Sequence, residues 1–142
     1  MPKYLADSSI WSWARQGQRP DIQLKLAERA GRGEVVTCVP VVVEVMHHAR
    51  TGTEYDEIYK RRFSRLVHVP LTDSVANRAL AVQREMAQGK HGNHRRPAID
   101  FLVAAIAEAA DVTLWAFDRD LRVIAEHTGQ SLEAEESVGP GR

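Results

Sequence analysis

Pro97-Ala98-Ile99-Asp100-Phe101-Leu102-Val103-Ala104-Ala105-Ile106-Ala107-Glu108-Ala109-Ala110, followed after one residue by Val112-Thr113-Leu114-Trp115-Ala116-Phe117-Asp118, is the stretch on which the fold turns. Proline at the first position and the alanine-rich apolar run after it predict a helix to about Ala110. The run Val112 to Ala116, rich in branched and aromatic residues, predicts a strand. Both elements are apolar, and each carries an acid out of keeping with its surroundings: Asp100 interrupts the helix and Asp118 follows the strand.

The same alternation continues outward in both directions. Tyr4-Leu5-Ala6 is a short strand ending at Asp7, after which Ser8 or Ser9 can cap a helix that includes Ile10, Trp11 and Trp13. Ile22 to Ala30 has helical spacing and stops at Gly31, and Val35 to Val39 is a second strand. Pro40 to Arg50 reads as a helix despite Val41-Val42-Val43, because a proline suits a first turn. Glu54 to Arg65 is helical, and Leu66 to Val69 is a third strand. Thr72 or Asp73 caps a helix to about Gln88, and Gly89 to Arg96 is a polar loop. Beyond Asp118, a helix from about Asp120 to Thr128 ends at Gly129. Residues 1–132 are expected to form one domain, with a short strand at most after Ser131 and a loose acidic tail over 133–142.

Strands alternating with helices imply right-handed crossovers and a central parallel sheet, here of four to five strands, in an αβα sandwich. Ligand chemistry in such folds gathers beyond the carboxyl ends of the strands, where Asp7 and Asp118 stand.

The 142 residues suffice to bury about two-thirds of the unfolded chain's surface. One cysteine, Cys38, in an apolar setting reads as a small buried hydrophobe in a reduced, cytoplasmic protein. No apolar run has the length of a signal peptide or membrane span, so neither is expected. Lys plus Arg and Asp plus Glu number 19 each, so no bulk positive charge announces nucleic acid. Local basic patches do exist, at Lys60-Arg61-Arg62 with Arg65 and at Lys90 to Arg96.

Glu44, amid Val41 to Met46, joins Asp7, Asp100 and Asp118 as a fourth acid in apolar surroundings. Each has a local task open to it, as cap, turn residue, first-turn acid or helix-surface residue. Together they suggest one site, because an unpaired carboxylate near a core costs several kcal/mol and a shared cation offsets that for all four. Hard oxygen ligands suit Mg²⁺ or Mn²⁺, whose chemistry at such sites is phosphodiester hydrolysis.

The stretch Pro97 to Glu108, with Leu114 to Leu121, Ile124-Ala125 and Thr128-Gly129-Gln130, resembles the C-terminal half of VapC-type PIN domains. Leu5-Ala6-Asp7-Ser8-Ser9 is similar to the family's N-terminal Asp-x-Ser element, and Val43-Glu44-Val45 to its second acidic position. The likeness spans residues 3 to about 132. It implies a Mg²⁺- or Mn²⁺-dependent endoribonuclease that acts on RNA, is inhibited by a small VapB-type antitoxin, and forms a homodimer. Asp7, Glu44, Asp100 and Asp118 are then the acidic quartet, with Ser9 orienting carboxylates. The chain departs from the family pattern at Ala116, where Thr, Ser or His is usual, and at Leu121, where Phe is.

Asp120 is read as a cap for the last helix, with metal contact through water as the other reading. Glu44 and His48 are spaced to share a cation, though imidazole suits Mg²⁺ poorly. Lys90, His94, Arg95 and Arg96 precede the Asp100 helix and are candidates for RNA phosphates; Trp11 or Trp13 could stack a base. The Tyr55, Tyr59 and Arg62 side of its helix is a candidate antitoxin groove.

Three other readings compete. A receiver-type signalling module needs a lysine after its last strand, but the final lysine is Lys90. A haloacid-dehalogenase phosphatase places Asp-x-Asp at its first strand, whereas Asp118-Arg119-Asp120 comes last. A PIN fold used only for binding is the third.

Overall fold

The computed structural model describes residues 2–89 and 92–136. In chain order the elements are β1 (Tyr4–Ala6), α1 (Ser8–Gln16), α2 (Pro20–Gly31), β2 (Val35–Thr37), α3 (Val39–Met46), α4 (Gly52–Arg62), β3 (Val67–His68), α5 (Asp73–Gln88), α6 (Ala98–Ala110), β4 (Thr113–Ala116), α7 (Arg119–Thr128) and β5 (Leu132–Ala134). The five strands form one sheet in the order β3-β2-β1-β4-β5. Every neighbouring pair is parallel, with helices flanking the sheet as expected of an αβα sandwich.

Leu5 stands opposite Val36 on one side and Leu114 on the other, so β1 is central. From β1 the chain winds outward through β2 and β3, then returns to add β4 on the opposite side of β1. That reversal makes the β1–β4 crevice the topological switch point, where open parallel sheets place their ligands. A receiver sheet runs 2-1-3-4-5, so this strand order removes the signalling alternative.

The central strands are buried: Leu5, Leu114 and Trp115 are fully enclosed, with Ile10, Val41, Phe63, Val103, Ile106, Leu121 and Ile124 around them, whereas both residues of the edge strand β3 are exposed. Cys38 is buried as well, and burial pushes its thiol up to about 11, which makes it inert. Helix ends follow local chemistry. Gly17 and Gly129 adopt φ of 70° and 74° after α1 and α7, a left-handed conformation that glycine enters without a Cβ penalty.

Several boundaries differ from the sequence reading: β2 ends at Thr37 rather than Val39, and α3 spans Val39–Met46 rather than reaching Arg50. Helix α4 begins earlier, because the Thr51 hydroxyl accepts from Glu54 N at 3.0 Å, and ends at Arg62 rather than Arg65. The chain is also structured beyond 132. β5 pairs with β4, Arg29 donates to both Glu133 oxygens at 2.6 and 3.0 Å, and Lys25 reaches Glu135 at 2.6 Å. Arg29 itself lies 3.8 Å from the Tyr4 ring centroid and 4.4 Å from that of Trp115. Glutamates read as the start of a loose tail therefore tie β5 to α2, because the sheet edge offers strand pairing and α2 offers cations.

Candidate active site

Asp7 leaves β1 at the switch point and caps α1. Its Oδ2 accepts from Ser9 N at 3.2 Å and from Ser9 Oγ at 2.9 Å. Ser9 Oγ in turn accepts from Phe117 N at 3.1 Å, so one hydroxyl ties the end of β1 to the end of β4. Asp7 is only 2% exposed, and its Oδ1 has no hydrogen-bond partner.

Across the crevice Asp118 caps α7, its Oδ1 accepting from Asp120 N at 2.6 Å. Asp100 projects from the first turn of α6, is 3% exposed, and leaves Oδ2 without a partner. Carboxylate oxygens of Asp100, Asp118 and Asp120 all lie within 4.8 Å of one another. Glu44 approaches from α3, fixed by a 2.6 Å hydrogen bond donated by Ser8 Oγ to its Oε1.

The electrostatics tie the acids into one group. Burial pushes the Asp7 carboxyl up to about 6, with the Asp118 charge adding to the rise and hydrogen bonds from Ser9 and Ser8 opposing it. Asp100 is pushed further, to about 8, by burial first and then by the charges of Asp118, Asp7, Glu44 and Asp120. Crowded, partly unsatisfied carboxylates of this kind are stabilised by a divalent cation that supplies the missing counter-charge. The donor set is oxygen only, which suits Mg²⁺ or Mn²⁺ and makes a poor site for softer metals. His48, exposed in the turn after α3, does not belong to the clustered oxygens.

Asp120 departs from its expected role. Asp118 takes the cap, which frees the Asp120 carboxylate to join the cluster, and Arg96 Nη1 donates to Asp120 Oδ1 at 2.7 Å. Arg96 is held further by Asn93, through its backbone carbonyl at 3.0 Å and its side-chain oxygen at 2.8 Å. Arg96 is thus a structural counter-cation of the acidic group rather than a free phosphate ligand. Of the other basic candidates, Arg95 is exposed, His94 is half-buried with Nδ1 unpartnered, and Lys90 lies outside the described residues.

Trp11 does not offer a stacking face. It is 5% exposed and packs against Phe63 with ring centroids 4.8 Å apart, because α1 turns this side inward. Trp13 is half-buried against Phe117 at 5.5 Å. Ser8, which the sequence offered only as a cap, instead anchors Glu44; its signal was a hydroxyl one residue after a strand-end acid.

The PIN domain family model matches residues 4–127, and the chain belongs to that family. Ribonuclease VapC2 of Mycobacterium tuberculosis is 35% identical over 137 residues, covering 92% of this chain and 91% of that protein. Ribonuclease VapC18 of the same species is 28% identical over 131 residues, covering 92% and 93%. Within the PIN family the chain is therefore of the VapC type. The fold agrees: DNA-bound VapBC from Salmonella typhimurium superimposes with a TM-score of 0.74 at 14% identity, covering 94% of this chain and 98% of that one. VapBC2 from Rickettsia felis, bound to a fragment of its promoter, gives 0.71 at 17% identity with the same coverage.

Proposed function

We propose that this protein is a toxin endoribonuclease that hydrolyses RNA phosphodiester bonds using Mg²⁺ or Mn²⁺, and that a cognate VapB-type antitoxin neutralises it. The observation that carries this reading is the convergence of carboxylates at the β1–β4 switch point, with Asp7 Oδ1 and Asp100 Oδ2 buried and unpartnered. Its VapC relatives are named ribonucleases, and its structural neighbours are toxin–antitoxin complexes.

Asp7, Asp100 and Asp118 are the ligands that would hold the ion, with Glu44 at the rim and Asp120 as support. When bound, the ion polarises a phosphate oxygen and lowers the pKa of a water nucleophile. The chain's own residues provide the positioning. Ser9 holds Asp7 in one rotamer, the Asp120 amide holds Asp118, and Ser8 holds Glu44 Oε1. Glu44 Oε2, which Ser8 leaves free, is the acceptor for the proton of the attacking water. Arg96 neutralises Asp120, limiting the repulsion that an RNA phosphate meets on entry.

A homodimer in the cytoplasm completes the proposal. No helix among the described residues is long and apolar enough to cross a membrane. The test is incubation of total cellular RNA with purified protein, with Mn²⁺ or with chelator, with and without the co-expressed antitoxin. Discrete fragments that need the metal and vanish with the antitoxin are expected; intact RNA under every condition would refute the reading.

A further inference from the structure

Beside the acidic cluster, α1, α3 and α4 border an open cleft of about 430 Å³ whose wall includes Ser12, Arg15, Glu44, His47, His48 and Arg62. Glu44 belongs both to this wall and to the acidic group, so the cleft adjoins the acids. Guanidinium groups only donate hydrogen bonds, so Arg15 and Arg62 give this part of the wall an anion-seeking character.

The arginine pair is unusual within this chain. Other partly buried arginines are matched: Arg29 by Glu133, Arg78 by Glu108 and Arg96 by Asp120. Arg62 is half-buried, and burial first, then the charges of Arg61 and Arg15, hold its guanidinium below its usual range. A half-buried cation with other cations beside it is unfavourable until an anion completes it.

We propose that Arg15 and Arg62 form a subsite for a backbone phosphate of single-stranded RNA adjacent to the scissile position. This rests on the ribonuclease reading above. The cleft is large enough for a nucleotide-sized group. The exposed rings of His47 and His48, 5.7 Å apart, offer flat faces to an unstacked base. Four carboxylates repel a polyanion, and with Arg96 bound to Asp120 the arginines of this wall are placed to offset that repulsion. A chain with regularly repeated phosphates would occupy the metal-binding acids and the arginine pair together; an acidic peptide would match only the arginines.

The test measures binding of a fluorescent single-stranded oligoribonucleotide to full-length protein in the D100N background, across a salt series with Mn²⁺ present. Adding R15Q and R62Q should weaken binding about tenfold and make the log–log salt slope shallower by about 0.7 per lost contact. R15K and R62K should restore the slope, and R84Q, an exposed charge on α5, should leave both values unchanged. Thermal melting checks folding, and the exposed R15Q alone should lose its share of the slope if R62Q disturbs α4. Unchanged affinity and slope in the folded double variant would overturn the subsite, as would a loss confined to antitoxin binding. Wild type cutting RNA while the double variant binds normally rejects the subsite alone; wild type that neither cuts nor binds RNA rejects the ribonuclease reading and the subsite with it.

Discussion

Arg96 Nη1 donates to Asp120 Oδ1 at 2.7 Å, so one carboxylate of the acidic cluster is already matched by a cation of the chain itself. R96Q removes that charge and makes the cluster more negative. Calorimetry should show Mn²⁺ binding several-fold tighter in the variant, while urea denaturation without metal shows a loss of about 1 kcal/mol, the size expected of a partly exposed pair. Equal Mn²⁺ affinity in the two proteins would mean that Arg96 does not act on the site.

The raised carboxyl of Asp100 fixes the sign of a pH effect. Below about pH 4 folded and unfolded chains both carry the proton, and the group is neutral to stability. Between there and about pH 8 the unfolded chain releases it and the folded chain retains it, so metal-free stability falls as pH rises. Asp7 adds to the fall up to about pH 6. Urea midpoints across this range should decline for wild type and decline less for D100N, while Mn²⁺ reverses the trend by binding the ionised form. Identical profiles for the two proteins would contradict the assigned cause.

Ser9 bridges Asp7 and the Phe117 amide, so S9A leaves an N–H without its acceptor and leaves Asp7 Oδ2 with the Ser9 amide but not the hydroxyl. The expected cost is about 1–3 kcal/mol in stability and about tenfold in kcat, with KM for RNA unchanged. S9T, which keeps the hydroxyl, should recover most of both. Loss of KM instead of kcat would make Ser9 a substrate contact.

Trp11 is a core residue whose Nε1 donates to no partner, so W11F should fold and bind RNA as wild type does. W11A should cost about 3–5 kcal/mol through the cavity left beside Phe63. An RNA affinity loss in W11F of about 1–3 kcal/mol would restore the stacking role that burial argues against.

The alternation of apolar runs was enough to place β1, β2, β4 and their helices, because period and length differ clearly between them. Asp7 and Asp118 could be read as neighbours because each ends a strand that a parallel sheet must bring side by side. What could not be read depends on contacts distant in sequence. Nothing local to Asp120 distinguishes cap from cluster member until Asp118 is seen to take the cap. Arg96 reads as a free cation until α6 and α7 bring it onto Asp120. Trp11 and Trp13 alternate like a half-exposed pair, and only the position of Phe63 decides which faces inward. Glu133 and Glu135 look like a solvated tail because their partners, Arg29 and Lys25, lie on α2.

The central claim, that Asp7, Glu44, Asp100 and Asp118 form one hydrolytic metal site, is tested most directly by single-turnover cleavage of an end-labelled RNA at saturating Mn²⁺. Wild type is compared with D7N, E44Q, D100N and D118N, with circular dichroism confirming that each is folded. The account predicts metal-dependent cleavage by wild type and its near-complete loss in D100N, with large losses in the other three. Cleavage by folded D100N at the wild-type rate would contradict it.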